Sequence, residues 1–183
     1  AKKWGLKLSA SDPLLATITS ELKELENQGY QYEGAEASFE LLMRRALGLQ
    51  RNYFKFESWR VMIHKVHVER APITEATIRL FVGGDEVHTA SLGDGPVNAL
   101  DCAMRKALTR FYPSLEEMVL TDYKVRVLSG EHGTEAKVRV LIESQDHSCS
   151  WSTVGVSVNI LEASWQALVD SINYKLMKED NRK

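Results

Sequence analysis

The sequence predicts an α+β protein in which a small helical segment precedes an internally duplicated βββα domain. Three observations carry that prediction. Apolar residues recur at three-to-four spacing up to residue 48, the period drops to two after Lys55, and the order strand, strand, strand, helix then occurs twice.

The elements follow in order. Asp12 then Pro13 form an N-cap and first-turn pair, Leu14, Leu15, Ile18, Leu22 and Leu25 follow at helical spacing, and Gly29 is the C-cap. A second helix is expected over 35–47, with Phe39, Leu42, Met43 and Ala46 on one face and Gly48 beyond its end. Two helices of this size bury too little apolar area to stand alone, so the pair is expected to pack on another part of the chain. Strands are expected at 59–68, 74–82 and 86–92, the last two closed by Gly83-Gly84-Asp85, whose glycines supply the positive φ of a tight hairpin. A helix over 96–111 completes the first copy. The second has strands at 118–128, 134–143 and 150–156 and a helix at 159–177. Val97-Asn98-Ala99-Leu100-Asp101 and Val158-Asn159-Ile160-Leu161-Glu162 line up at a shift of 61 residues. The expected organisation is a helical subdomain at 1–56 and a domain at 57–183 made of repeats 57–112 and 117–183.

Side-chain patterning assigns faces. The last helix carries Leu161, Trp165, Leu168, Ile172 and Leu176 as an apolar stripe, which leaves Gln166, Asp170, Asn173 and Lys178 for a wet face. Val138, Val140 and Ile142 share one side of their strand. Val61 and Ile63 oppose Met62, His64, Val66 and Val68, so this strand is apolar on both faces. Sheets covered on both sides call for pairing of the repeats or of two chains, and a homodimer is expected.

Composition excludes several function classes. Among 183 residues, 23 Lys and Arg face 25 Asp and Glu, without the basic excess of a nucleic-acid surface. No apolar run reaches the ~20 residues of a membrane span, and no signal-peptide core follows the first residues. A cytoplasmic chain is expected, without nucleic-acid or membrane partners, with Cys102 and Cys149 reduced and structural. The missing initiator Met is read as the cut end of a longer chain.

Few residues suggest chemistry. His64 and His67 have a metal-ligand spacing for a helix but not for a strand, and His88, His132 and His147 have no local carboxylate or cysteine pattern. No catalytic dyad and no metal site is expected. Glu33, Glu36 and Glu40 cluster at a helix start, where the macrodipole favours negative charge. Gly93-Asp94-Gly95-Pro96-Val97 is more informative: the glycines let the chain turn sharply into a helix whose first N–H groups can face an anion. Its counterpart, Gly155-Val156-Ser157-Val158-Asn159, also enters a helix, so two N-termini could each approach the carboxylate of a small ligand.

At these residues the chain resembles a known family. Gly93-Asp94-Gly95-Pro96-Val97-Asn98-Ala99-Leu100-Asp101, Leu120-Thr121-Asp122-Tyr123-Lys124-Val125-Arg126-Val127, Trp151-Ser152-Thr153-Val154-Gly155-Val156-Ser157 and Glu162-Ala163-Ser164-Trp165-Gln166-Ala167-Leu168 are similar to the C-terminal regulatory domain of the 2-isopropylmalate synthase and citramalate synthase family. Leu25-Glu26-Asn27-Gln28-Gly29-Tyr30-Gln31-Tyr32-Glu33-Gly34-Ala35-Glu36-Ala37-Ser38-Phe39 resembles the linker after the catalytic barrel, in the wording of citramalate synthases. The resemblance implies a full-length acyltransferase that condenses acetyl-CoA with a 2-oxo acid, pyruvate in the citramalate branch, using a divalent metal held in the barrel. Neither the barrel's Asp-Thr-Thr-Leu-Arg-Asp-type opening strand nor its His-x-His pair occurs here, so this chain is expected to be inactive alone and to hold no cofactor.

What the resemblance implies for this chain is feedback control. In the family, this module binds a branched-chain end product at its dimer interface, isoleucine in the citramalate branch and leucine in the other. The effector-binding positions carried over are Gly93, Gly95, Val97 and Asn98 at the first turn, and Leu120, Tyr123 and Val127 on the strand lining the apolar side. Thr134 and Val138 match on the neighbouring strand. Val158 and Ile160 match at the start of the last helix, where relatives often have proline or a polar residue. A pocket of this kind separates ligands differing by one methylene by only ~1–3 kcal/mol, so isoleucine and leucine stay open, as does a purely structural dimerisation module.

Overall fold

The structure, a computed structural model, describes residues 4–5, 13–128 and 136–181. In chain order it contains α1 (Pro13–Gln28), α2 (Glu36–Ala46), β1 (Lys55–His64), β2 (Ile73–Val82), β3 (Asp85–Gly93), α3 (Pro96–Leu108), a 3-10 turn (Pro113–Glu117), β4 (Val119–Val127), β5 (Val138–Gln145), β6 (Ser150–Ser157) and α4 (Ile160–Asp180). The strands form two antiparallel meanders, β1-β2-β3 and β4-β5-β6, each followed by its helix. This is the α+β, twice-repeated βββα architecture. Asp12, the expected N-cap of α1, lies outside the described residues.

The repeat interval is 64 residues, not 61. α3 begins at Pro96 and α4 at Ile160. The Thr89 hydroxyl donates to the Ala103 carbonyl at 2.9 Å, and Thr153 does the same to Ala167 at 2.8 Å. Ile78 lies between Trp59 and Thr89, as Ile142 lies between Tyr123 and Thr153. Even the irregularity of the first strand recurs, between Phe56 and Ser58 and between Leu120 and Asp122. The shorter shift misleads because three residues are close to one helical turn, so a similar side-chain pattern returns on nearly the same face.

The chain divides into two compact units, 1–51 with 119–174 and 52–118 with 175–183. In the second of these, Ala76, Ile78, Leu80 and Val82 of β2 are buried, together with Ala99, Leu100, Ala103, Met104, Ala107 and Leu108 of α3. Strand alternation puts one β2 face into this core and leaves Glu75, Thr77, Arg79 and Phe81 partly exposed. Gly83 and Gly84, with φ of 60° and 100°, form the two-residue turn that pairs Val82 with Asp85. β1 covers 55–64 rather than 59–68, because its pairing with β2 runs from Lys55–Phe81 to His64–Ile73 and stops where β2 begins. Trp59 and Val61, which pair with buried Ile78 and Ala76 on the α3 side, are partly buried, whereas Met62 and Ile63 of the same strand are each 56% exposed. α3 stops at Leu108, short of 111, because the N–H groups of Phe111 and Tyr112 both turn back to the Leu108 carbonyl. Lys175 is fully buried here, its ammonium 2.9 Å from Glu179 and 3.4 Å from Glu117.

The unit of 1–51 and 119–174 is covered on both faces of its sheet by its own chain. On one side Val140, Ile142, Trp151 and Thr153 are buried with Ala163, Ala167, Leu168 and Ile172 of α4. The helix is seated by side chains: the Trp151 indole N–H donates to Ser171, and the Ser171 hydroxyl donates to Ser144 at 2.7 Å. It comes so close at Gly155 that a Cβ there would lie 2.0 Å from the Ala163 carbonyl oxygen. On the other side, Ala35, Val154 and Val156 form a cluster with Tyr30, Tyr32, Leu128 and Leu141. The helical pair therefore packs on this sheet, as its small size requires, and Arg139 ties the connecting segment down through the Gly29 carbonyl at 2.7 Å. β5 begins at Val138, and 134–135 lie outside the described residues.

Candidate functional site

The irregularity in β4 decides where the carried-over strand residues point. Leu120, Tyr123 and Val127 do not alternate in sequence, but the register slips between Leu120 and Asp122, so they pair with Ser144, Ile142 and Val138 respectively. Ser144 and Ile142 are fully buried, and Ser144 accepts the Ser171 hydroxyl of α4. Leu120, Tyr123, Val127 and Val138 thus share the α4 side of the sheet. One extra residue in the strand has restored a common face.

Tyr123 is engaged internally. The Ser164 hydroxyl donates to the Ile160 carbonyl at 2.6 Å, which leaves its oxygen to accept the Tyr123 O–H at 2.8 Å. Around it the surface is apolar and open: Val125, Val127, Val158 and Ile160 are 40%, 66%, 63% and 44% exposed. Leu120 and Val138 are partly buried. Thr134 lies outside the described residues.

The other expected residues lie in the second unit, at the start of α3. Gly93 is required for close approach, since a Cβ there would lie 2.4 Å from the Ala99 nitrogen. Gly95 is not required in that way: its φ of −166° is ordinary extended backbone and space around it is open. The sharp-turn role expected of both glycines therefore holds for neither as a positive-φ position. Asn98 accepts the Asp94 N–H at 3.1 Å and staples the turn, while Val97 is partly buried.

The two helix N-termini are not equivalent. α3 has no side-chain cap, and Pro96 has no N–H, so Val97 and Asn98 present the first-turn donors. α4 is capped by its own chain, Asn159 Oδ1 accepting from the Leu161 N–H at 2.8 Å and Ser157 Oγ from the Asn159 N–H at 3.1 Å. An anion meets open donors in the first case and partly satisfied ones in the second.

A polar network on α4 was misassigned by periodicity. Gln166 and Asp170, expected on a wet face, are partly buried because the helical pair folds back over them. Gln166 Oε1 accepts both the Tyr30 hydroxyl at 2.9 Å and the Val156 N–H at 3.0 Å. The Ser38 hydroxyl donates to Asp170 at 2.7 Å, and its oxygen accepts the Val154 N–H at 3.0 Å. Two N–H groups of the edge strand β6 are thereby satisfied by side chains, a device that blocks further strand pairing. Burial raises the Asp170 carboxyl to about 6, against the opposing effects of the Ser38 hydrogen bond and Arg45. Burial likewise raises Tyr30 and Tyr32. Glu40 is no helix-start anion: it is buried and paired with Arg44 at 2.7 Å. The Tyr-x-Tyr string before α2 and the carboxylate within α4 were visible in the sequence, but their 136- and 132-residue separations from Gln166 and Ser38 were not.

Among the described residues no group of three or more His, Cys, Asp or Glu side chains is placed to hold a metal ion, and no helix is long and apolar enough to cross a membrane. Cys102 and Cys149 are thiols, neither of them in a disulfide among the described residues.

Comparison with known proteins matches residues 33–176 to the LeuA allosteric (dimerisation) domain. The chain is 54% identical over 180 residues to the (R)-citramalate synthase of Geobacter sulfurreducens, an overlap of 98% of this chain and 34% of that protein. The (R)-citramalate synthase of Aquifex aeolicus is 54% identical over 179 residues, again 98% and 34%. A 2-isopropylmalate synthase of Aquifex aeolicus is 32% identical over 108 residues, 59% of this chain and 19% of that protein. The chain spans about a third of the length of these two (R)-citramalate synthases.

Proposed function

The chain belongs to the LeuA allosteric (dimerisation) domain family, and from that membership we propose that it is the regulatory part of an (R)-citramalate synthase, binding a branched-chain amino acid and joining two copies of the protein. The observation that carries this reading is the exposed apolar set beside the α4 N-terminus, Val125, Val127, Val158 and Ile160, on the same side as Leu120, Tyr123 and Val138. Methyl groups and an aromatic ring in that arrangement suit an aliphatic side chain. Isoleucine is the proposed effector, the end product expected for the citramalate branch. Gly93, Gly95, Val97 and Asn98, with the uncapped start of α3, are proposed to take part in carboxylate recognition in their own unit. The longer protein is proposed to condense acetyl-CoA with pyruvate in a separate barrel holding a divalent metal, with no catalytic residue in this chain.

Regulation follows from differential affinity: an effector shifts a dimer between two arrangements only by as much as it binds one better. The Tyr30–Gln166 and Ser38–Asp170 contacts make the helical pair the route proposed for the signal. Calorimetry of the full chain with isoleucine, leucine and valine, beside sedimentation analysis, tests the reading. Saturable isoleucine binding by a dimer, weakened at least fivefold by Val127→Asp, is expected, and a dimer that binds none of the three overturns it.

The internal capping by Asn159 and the Ser164-satisfied Tyr123 hydroxyl favour a second reading, a dimerisation module without effector. It predicts a stable dimer whose melting no amino acid shifts.

A further inference from the structure

The unit of 1–51 and 119–174 contains a cavity of about 310 Å³ among α1, α2, β6, α4 and the segment joining the first two helices. Its size is at the small end for ligand pockets, which begin at roughly 300 Å³. Tyr30, Tyr32 and Trp165 supply aromatic walls, and Glu21, Glu162 and Asp170 supply three carboxylates against one guanidinium, Arg45. Aromatic faces and an excess of negative charge attract the same kind of ligand, a cation with an apolar body.

Asp170 is the most telling group. Its Oδ2 accepts the Ser38 hydroxyl at 2.7 Å, and the carboxylate lines the cavity together with the three rings. Apart from the Ser38 hydrogen bond and the Arg45 charge, nothing in the fold favours the charged form: desolvation opposes it, and the proton is lost only near pH 6. A cation in the cavity offsets that desolvation. Titratable groups kept in such a position are enriched at binding sites.

We propose that this cavity binds a small organic ammonium ion, with Asp170 as its counter-charge and Tyr30, Tyr32 and Trp165 as its walls. The site shares no residue with the effector positions above and does not depend on that reading. The charged and titratable groups lining the cavity with Asp170 are Glu21 from α1, Tyr30 and Tyr32 from the connecting segment, Arg45 from α2 and Glu162 from α4. Of these only Arg45 opposes a bound cation. Protonation of Asp170 removes the counter-charge, so affinity falls by roughly tenfold between pH 7.5 and pH 5.

The test is calorimetry of the full chain with 3-methylbutylammonium chloride at pH 7.5 and pH 5, with 3-methylbutan-1-ol as the uncharged counterpart. One saturable site is expected, weakened roughly tenfold at the lower pH and at least tenfold by Asp170→Asn, with the alcohol at least tenfold weaker. Glu162→Gln is expected to weaken binding about threefold, and the Trp165 indole N–H resonance is expected to shift with saturation. Should Asp170→Asn fail to fold, the pH series, the alcohol and Glu162→Gln decide. Absence of saturable binding, equal binding of the alcohol, pH-independent affinity, or a Trp165 resonance that does not move each overturns the proposal. Isoleucine titrated separately reports on the effector reading, so failure of one is distinguishable from failure of the other.

Discussion

Positions 64 residues apart behave differently in the two βββα copies although their sheets share register and irregularity. Val154 and Val156 are 2% and 7% exposed, whereas their counterparts Ala90 and Leu92 are exposed, Leu92 by 63%. Asp170 is partly buried and receives the Ser38 hydroxyl, whereas its counterpart Lys106 donates to the Ala90 carbonyl at 3.2 Å from an exposed position. The difference is the helical pair, which packs on one sheet of the duplicated domain. A duplicated fold therefore fixes strands, register and helix placement, while the role of each outer position depends on what covers it. The covered copy has acquired a buried polar network and a cavity, and the other keeps an open sheet face.

The largest loss of stability is expected at the closest helix approach. Gly155→Val is expected to destabilise its unit by about 3–5 kcal/mol, because the clash is with the Ala163 carbonyl and backbone cannot swing aside. Gly93→Ala, where the corresponding contact is with the Ala99 nitrogen at 2.4 Å, is expected to cost about 2–3 kcal/mol in the other unit. Chemical denaturation of both variants checks the order.

Asp170→Asn sharpens the contrast in the opposite direction. The folded carboxyl titrates at about 6, above its ordinary 3.8, so its contribution to stability is fully present below the ordinary value and is lost as pH rises through about 6. The variant is therefore expected to be more stable than the parent at pH 7.5, by on the order of 2 kcal/mol, with the gap closing towards pH 4. Lys106→Met at the uncovered counterpart is expected to show no such pH-dependent gap, and thermal melts across that range compare the two.

Ser38→Ala removes both the donor to Asp170 and the acceptor for the Val154 N–H, with an expected cost of about 1–2 kcal/mol at pH 7.5. The cost is expected to shrink near pH 4, where the carboxyl is protonated and its hydrogen bond from Ser38 is no longer charge-assisted. The smallest effect on folding is expected for Val127→Asp. At 66% exposed, its side chain contributes little to the unit's own core, so under effector-free conditions where parent and variant are both monomeric their unfolding free energies should differ by less than about 0.5 kcal/mol, while sedimentation and isoleucine binding carry the response.

Much of this protein was legible in its residues. The drop in apolar period near Lys55, the Gly83-Gly84 turn and the Gly93 turn into α3 locate the elements because each reflects a local steric or hydrophobic constraint. The family was legible too, since long strings survive in order. The repeat interval was less so, because helical sequences resemble themselves when displaced by about a turn. The strand irregularity that brings Leu120, Tyr123 and Val127 to one face leaves no periodic signature, because a single inserted residue reverses alternation without altering composition.

By itself the sequence determined the α+β class, the duplicated βββα order and the family, all of which rest on patterns read within a few turns or strands. Tertiary structure decided that the helical pair covers the second face of the β4-β5-β6 sheet, that Gln166 and Asp170 face that pair instead of solvent, and that Ser38 and Tyr30 meet partners more than 130 residues away. The physical reason is that periodicity records which residues share a face, whereas burial and charge depend on the surface that arrives to cover it.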